Sequence, residues 1–334
     1  MTKKQTFAKA GPVRASLNLA IVALLAGGAT GVAADGKDQE GDHGQAGKGG
    51  GVCSKTARLG FTACGNDVQD NYLIGQAKCL NLTNANEKDT CLDDAKSTRQ
   101  EEKTQCGDVR DARLEVCGAL TIGGGPYDPP IDPNNFVPAD QIVGNTYFPL
   151  IPGTKIYKNT AGETITVTVT DQKTEILGVP VVVVTDVVEL DGKTTEDTID
   201  WYAQDKAGNV WYFGETTQSA NAENKLISVD GSWEAGVDGA KPGVIMPAST
   251  PTVGDVYRQE WLLNDAEDIA EILSTTESES APAFGCSGDC VKTHDYSPLE
   301  PDLSESKFYA PGVGVIVVLD DNDPTFREEL VEIK

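Results

Sequence analysis

Between Thr164 and Thr170, Ile165, Val167 and Val169 alternate with threonines, which is the period of a half-buried strand. Lys155-Ile156-Tyr157 leads into it after Pro149-Leu150-Ile151-Pro152-Gly153-Thr154, and Gly178-Val179-Pro180 forms a turn before a second apolar run, Val181 to Val188. Asp191-Gly192 is a hairpin signal. Residues 194–204 then pair across Lys206-Ala207-Gly208 with 210–217. A hairpin centred near Ala207 places Ile199, Trp201, Ala203, Trp211 and Phe213 on one face, where cross-strand aromatic contact is expected to anchor the core. Further strands are predicted at Leu226–Val229, Asp255–Leu263, Lys307–Tyr309, Val313–Leu319 and Arg327–Ile333, while Ala266 to Leu273 reads as a short helical turn or another strand. Strand follows strand with no room for crossover helices. Residues 146–334 are therefore expected to form an antiparallel β-meander, either a closed barrel or an open half-barrel.

Helical periodicity takes over upstream. Cysteines fall at 53, 64, 79, 91, 106 and 117, and their spacing is palindromic about residue 85. Positions equidistant from a turn face one another when a chain folds back. Fifteen pairings of six cysteines exist, and this symmetry singles out Cys53–Cys117, Cys64–Cys106 and Cys79–Cys91. Steps of 11 and 15 residues keep the cysteines of each arm on roughly one helical stripe. Residues 53–120 are thus predicted to be an antiparallel helical hairpin of coiled-coil type with nested disulfides. Asn84 with Glu87 three positions on is a helix start. Gly60, Gly65 and Gly75 predict a break in the first arm, and Leu59, Val68, Tyr72, Leu92, Val109 and Leu114 are expected to pack the seam. The fold class is α+β.

The flanks are compositional. Residues 1–34 read as an export signal, with Lys3, Lys4, Lys9 and Arg14 ahead of the apolar Leu17–Leu25 and small residues at Val32-Ala33-Ala34. That apolar run is too short for a comfortable membrane span, so an integral membrane protein is not expected after signal removal. Residues 35–52, with His43, form a Gly-rich flexible linker, and 121–145 a Pro/Gly-rich connector. Removing four basic and no acidic residues with the signal takes the net charge from −25 to −29. Such a surface repels nucleic acid, and no nucleic-acid partner is expected.

Candidate chemistry is sparse. Cys286 and Cys290 are expected to close a small disulfide loop rather than to supply a nucleophile for nearby His294. Asp320, Asp321 and Asp323 form the candidate metal site, with calcium the candidate ion, although an acidic solvated turn accounts for 320–323 equally well. Glu196, Asp197 and Asp200 form a second acidic cluster before Trp201. Trp201, Tyr202, Trp211 and Tyr212 alternate faces, and an exposed pair would suit sugars or a partner protein. No phosphate loop, dinucleotide fingerprint, nucleophile elbow or zinc-protease motif is present.

The six-cysteine segment, Gly125-Pro126-Tyr127-Asp128-Pro129-Pro130-Ile131-Asp132-Pro133, Asp200-Trp201-Tyr202-Ala203-Gln204-Asp205, Gly208-Asn209-Val210-Trp211-Tyr212-Phe213-Gly214-Glu215, Gly231-Ser232-Trp233-Glu234-Ala235-Gly236 and Tyr309-Ala310-Pro311-Gly312-Val313-Gly314 together resemble a widespread set of exported bacterial proteins without an assigned function. The resemblance spans roughly residues 50–334. It implies export, to the medium, periplasm or cell envelope, and a bacterial source, and it carries no catalytic residues. It also implies that Cys286–Cys290 is a local staple. The expected function is an extracytoplasmic binding or structural module with an envelope polysaccharide or protein partner. The alternative is a hydrolase acting on envelope polysaccharide through paired carboxylates.

Overall fold

The computed structural model describes residues 51–220, 225–248 and 250–334. The expected signal segment, and the linker up to residue 50 with His43, lie outside the described residues. The described chain forms two compact units that divide between Asp128 and Pro129.

In the first unit, α1 (Val52–Leu80) and α2 (Ala85–Ala119) run antiparallel and are joined by Cys53–Cys117, Cys64–Cys106 and Cys79–Cys91, with Cα separations of 5.7, 5.9 and 5.6 Å. The carboxamide oxygen of Asn84 caps α2 by accepting from the backbone N–H groups of Asn86 and Glu87. α1 is unbroken over its 29 residues, contrary to the expectation from its glycines. Gly60 is buried, and a Cβ on Gly75 would make an ordinary contact with that of Ala95 at 3.7 Å, so neither position bends the helix.

Coiled-coil packing is not what holds the pair. The buried positions are Ala57, Gly60, Val68 and Cys79 on α1 and Cys106, Arg113 and Val116 on α2, which is not a heptad of large apolar residues. Leu59, expected in the seam, is 70% exposed. Cross-links and cation–π contacts substitute for a core. The Arg99 guanidinium lies 4.7 Å from the Tyr72 ring and that of Arg110 lies 4.6 Å from the Phe61 ring.

The second unit is an antiparallel sheet rolled into a nearly closed barrel. Its strands are β1 (Gly153–Asn159), β2 (Glu163–Ile176), β3 (Val179–Leu190), β4 (Lys193–Gln204), β5 (Val210–Ala220), β6 (Leu226–Ser228), β7 (Trp233–Glu234) and β8 (Lys241–Met246). These are followed by β9 (Val256–Arg258), β10 (Glu260–Trp261), β11 (Ile269–Ser280), β12 (Gly285–Tyr296), β13 (Ser304–Ala310), β14 (Gly314–Asp320) and β15 (Arg327–Ile333). The spatial order is β10-β8-β5-β4-β3-β2-β1-β15-β14-β13-β12-β11-β9, with β6 and β7 also on β5.

The two ends of that path are neighbours in sequence. β9 pairs with β11 and β10 pairs with β8, and only Gln259 separates them. One stretch therefore bridges both sheet edges by changing partners at a single buried residue, which removes the exposed edges that would otherwise invite pairing with other chains. Gly243 on β8 allows this, because a Cβ there would overlap the Gln259 carbonyl.

The meander expectation holds, with three adjustments. Ala266–Leu273 resolves as the start of β11, since Ile269, Ala270 and Ile272 are buried between β9 and β12. The predicted strand at 255–263 is split at Gln259. β12 and β8 carry too few regular apolar alternations to have been read as strands, and Cys286–Cys290 lies within β12 rather than in a loop. Part of the Pro-rich segment belongs to this unit. Phe136 packs edge-on against Trp211 and Phe213, at 6.0 and 5.7 Å between ring centroids, and Val137 N–H donates to the Gln204 carbonyl.

Candidate functional site

The hairpin of β4 and β5 sets the site. Tyr202 opposes Tyr212 and Ala203 opposes Trp211, as a centre near Ala207 requires. Beyond that pair the register shifts by a bulge at Gly214, whose φ of +138° and close approach to the Trp233 carbonyl exclude a side chain. The shift brings Asp200 opposite Glu215. The face lining the barrel is therefore Asp200, Tyr202, Tyr212 and Glu215, all buried, while Ile199 is 38% exposed and Trp201 and Trp211 are half-buried. This corrects the expectation that Ile199, Trp201, Ala203, Trp211 and Phe213 form the core face. Phe213 and Ala203 are buried on the outer side, and Phe136 covers Phe213 there.

Burial of Asp200 and Glu215 belongs to a wider pattern. Ten acidic residues of this unit are buried among the described residues, namely Glu163, Asp186, Asp200, Glu215, Glu260, Glu267, Asp268, Asp295, Glu305 and Glu328. Only two bases, Arg258 and Lys307, are buried with them. The Lys307 ammonium lies 3.2 Å from Asp295 Oδ2 and 3.5 Å from Glu305 Oε2. Burial pulls Lys307 down, but Asp295 and Glu305 hold it above the usual lysine range. Asp295 is held further by Gln259 Nε2 at 3.1 Å and by the Thr293 hydroxyl.

Two cations cannot neutralise ten carboxylates, and burial favours the protonated form of several of the acids. Burial, then the charge of Glu196, push Asp200 up to about 7 against the hydrogen bond from Tyr212 Oη at 2.7 Å. Burial, with Asp200 and Glu260 nearby, raises Glu215 well above its ordinary range. Burial lifts Glu305 to about 7 and raises Asp268 and Glu328 well above the ordinary carboxylate range. Around Asp200, Glu215, Asp268 and Glu328 the barrel interior thus favours carboxylic acids over carboxylates.

One pocket enters this interior. It encloses about 370 Å³, its open mouth included, and is lined by Phe148, Pro149, Leu150, Lys155, Tyr157, Val167, Val169, Val184, Tyr202, Gly314 and Val315. Lys155 and Tyr157 alternate inward along β1, and the ring of Tyr202 stacks between Phe148 and Tyr212 at 5.1 and 4.9 Å. Lys155 is the only charged residue of the lining, and its ammonium has no hydrogen-bond or ion-pair partner among the described residues. Apolar surroundings draw it down to about 8. Gly314, with φ of +94°, leaves room for the amine, since a Cβ there would stand 3.4 Å from Nζ.

The other residues singled out in the sequence are dispersed. Asp320 Oδ1 accepts from the N–H groups of Asn322 and Asp323. Asp321 accepts from Ser304 and Ser306 hydroxyls at 2.8 and 2.7 Å, and Asp323 accepts from the backbone and hydroxyl of Thr325. Each carboxylate thus serves its own turn or strand. Among the described residues no group of three or more His, Cys, Asp or Glu side chains is arranged to hold a metal ion. Of the second cluster, Asp200 points inward while Asp197 is exposed.

His294 meets neither Cys286 nor Cys290. It stacks on Tyr296 and shares a hydrogen bond of 2.8 Å with Ser304 Oγ, which in turn donates to Asp321. These are the residue types of a hydrolytic triad in the wrong order. The carboxylate takes the serine proton instead of orienting the imidazole from its far nitrogen, so the serine is not activated. Lys155 and its pocket were missed in the sequence. The available signal was an inward-facing lysine two positions before an inward tyrosine on a strand.

No protein-family model and no curated protein matches this sequence. A candidate lipoprotein of known crystal structure from Parabacteroides distasonis is similar over 57% of this chain and 99% of its own, at 14% identity and a TM-score of 0.32. A likeness at that level carries no functional argument.

Proposed function

We propose that this chain is an extracytoplasmic binding module whose ligand enters the pocket between Phe148, Lys155, Val169 and Tyr202. The observation that carries this reading is an apolar pocket with a single charged lining residue, Lys155, and with its other titratable groups, Tyr157 and Tyr202, kept protonated by burial. Such a lining suits recognition, because acid–base chemistry needs paired groups within reach of one reacting centre. All eight cysteines are paired, which favours an oxidising compartment, as the expected export signal does. The resemblance to exported bacterial proteins is consistent with that placement.

The hydrolase alternative has less support. Its best carboxylate pair, Asp200 and Glu215, is 5% and 4% exposed and lies behind the stacked rings of Tyr202 and Tyr212. A polysaccharide cannot reach such a pair without unfolding the barrel.

Thermal unfolding of the disulfide-intact protein with 1-hexanol and cyclohexanol tests the binding reading. A rise in Tm with either probe that disappears in Val169→Trp, a variant whose side chain fills the pocket, is expected. Equal behaviour of wild type and Val169→Trp would overturn it.

A further inference from the structure

We propose that the pocket at Lys155 selects a small apolar molecule ending in a carboxylate, the Lys155 ammonium pairing with the acid group while the chain or ring packs against Val167, Val169, Val184 and Phe148. The inference rests on the binding reading above and adds the ligand class. Its ground is charge complementarity. Lys307 is matched by Asp295 and Glu305, whereas the half-buried Lys155 faces apolar walls with no anionic partner among the described residues. The cost of desolvating an ammonium is recovered only when an anion completes the pair, so the cavity is short of one negative charge.

The neighbouring geometry sets the size and the polarity of the ligand. Leu150 and Val315 are 2% and 3% exposed, so the inner wall is closed and dry. Gly314 leaves the amine's flank open, a Cβ there standing at contact distance, 3.4 Å, from Nζ. Lys155 is the single charged residue of the lining, so a second carboxylate would find no cation there, which favours a monoacid over a diacid. A neutral ligand would gain the apolar contacts but leave the ammonium uncompensated. Lys155 is in this account a binding residue, with no covalent step assigned to it.

The test is calorimetric titration of the disulfide-intact protein with hexanoate, 1-hexanol and adipate, in wild type and in Lys155→Met. Folding of the variant is checked by its circular dichroism and Tm. Expected is hexanoate binding at least ten-fold tighter than 1-hexanol in wild type, adipate weaker than hexanoate, and loss of the hexanoate preference in Lys155→Met with 1-hexanol affinity retained. Equal affinity of wild type for hexanoate and 1-hexanol would overturn the ligand class while leaving the pocket a binding site. Unchanged hexanoate affinity in Lys155→Met would overturn the role of Lys155 in the same way. Binding of neither hexanoate nor 1-hexanol would overturn both this inference and the binding reading beneath it.

Discussion

Tyr212 donates its hydroxyl proton to Asp200 at 2.7 Å, inside a barrel where Asp200 sits directly opposite Glu215. The tyrosine supplies one hydrogen bond to two acids that have little access to water. At least one of the two must therefore carry a proton for the pair to remain folded.

This fixes the direction of the pH dependence. Asp200 titrates near 7 in the folded barrel and near 3.8 when unfolded, and Glu215 is shifted the same way. Between those limits the folded state binds more protons than the unfolded state, so stability is full below about pH 4 and falls as pH rises through 7. The groups facing Asp200 are Glu215, Glu196, Tyr202 and Tyr212, none of which brings a compensating positive charge. Urea unfolding of the barrel unit between pH 4.5 and 8 is expected to show a falling midpoint, and Asp200→Asn is expected to flatten the slope. A midpoint that rises with pH would contradict protonated acids in the core.

Lys307 is the cation on which the opposite wall depends. Lys307→Met leaves Asp295 and Glu305 without their ion-pair partner in a fully buried site. Breaking one side of such a pair costs about 3–5 kcal/mol. The loss is expected to be larger at pH 8 than at pH 5, where Glu305 is protonated, and equilibrium unfolding at both pH values measures it.

In the helical unit the disulfides close loops of very different length, with sequence separations of 64, 42 and 12. With Cys64–Cys106 intact, Cys53–Cys117 closes an effective loop of about 22 residues against 12 for Cys79–Cys91, so loop-closure entropy predicts that opening either with paired serines costs about 3 kcal/mol, the outer bridge about 0.5 kcal/mol more. Thermal unfolding of the helical signal in the two double-serine variants gives the order. A clearly larger loss on opening Cys79–Cys91 would locate the stabilisation in local packing instead.

Calcium at Asp320, Asp321 and Asp323 would require those carboxylates to leave their separate partners in Asn322, Ser304, Ser306 and Thr325. The expected outcome is a Tm unchanged by millimolar calcium or by chelator. A rise of several degrees, abolished by Asp321→Asn, would show that the turn rearranges around an ion.

Much of the architecture was legible in the chain because it follows from symmetry and period. The palindrome about residue 85 determines the nested disulfides, and the turn at Asp205–Gly208 determines the pairing of Tyr202 with Tyr212. Which face of β4 and β5 turned inward was not legible. Sequence reading places apolar residues inside, whereas this barrel buries Asp200 and Glu215 and leaves Ile199 partly in water. The reversal depends on the single extra residue at the Gly214 bulge, and on neighbours such as Glu260 that arrive from a distant strand. The continuous α1 was hidden for a related reason. Its glycines lie within a helix that three disulfides clamp to α2, a restraint outside their local sequence. The Lys155 pocket draws on β1, β2, β3, β4 and β14, and no local motif connects them.

The central claim is that the barrel receives a ligand at the pocket around Lys155. Its most direct test is titration of methyl-labelled protein with hexanoate, following the Val167, Val169, Val184, Val315 and Leu150 methyl signals against those of the outward-facing Ile199. The account predicts saturable shifts confined to the pocket methyls. Absence of shifts there, or shifts scattered over outward-facing methyls such as Ile199, would contradict it.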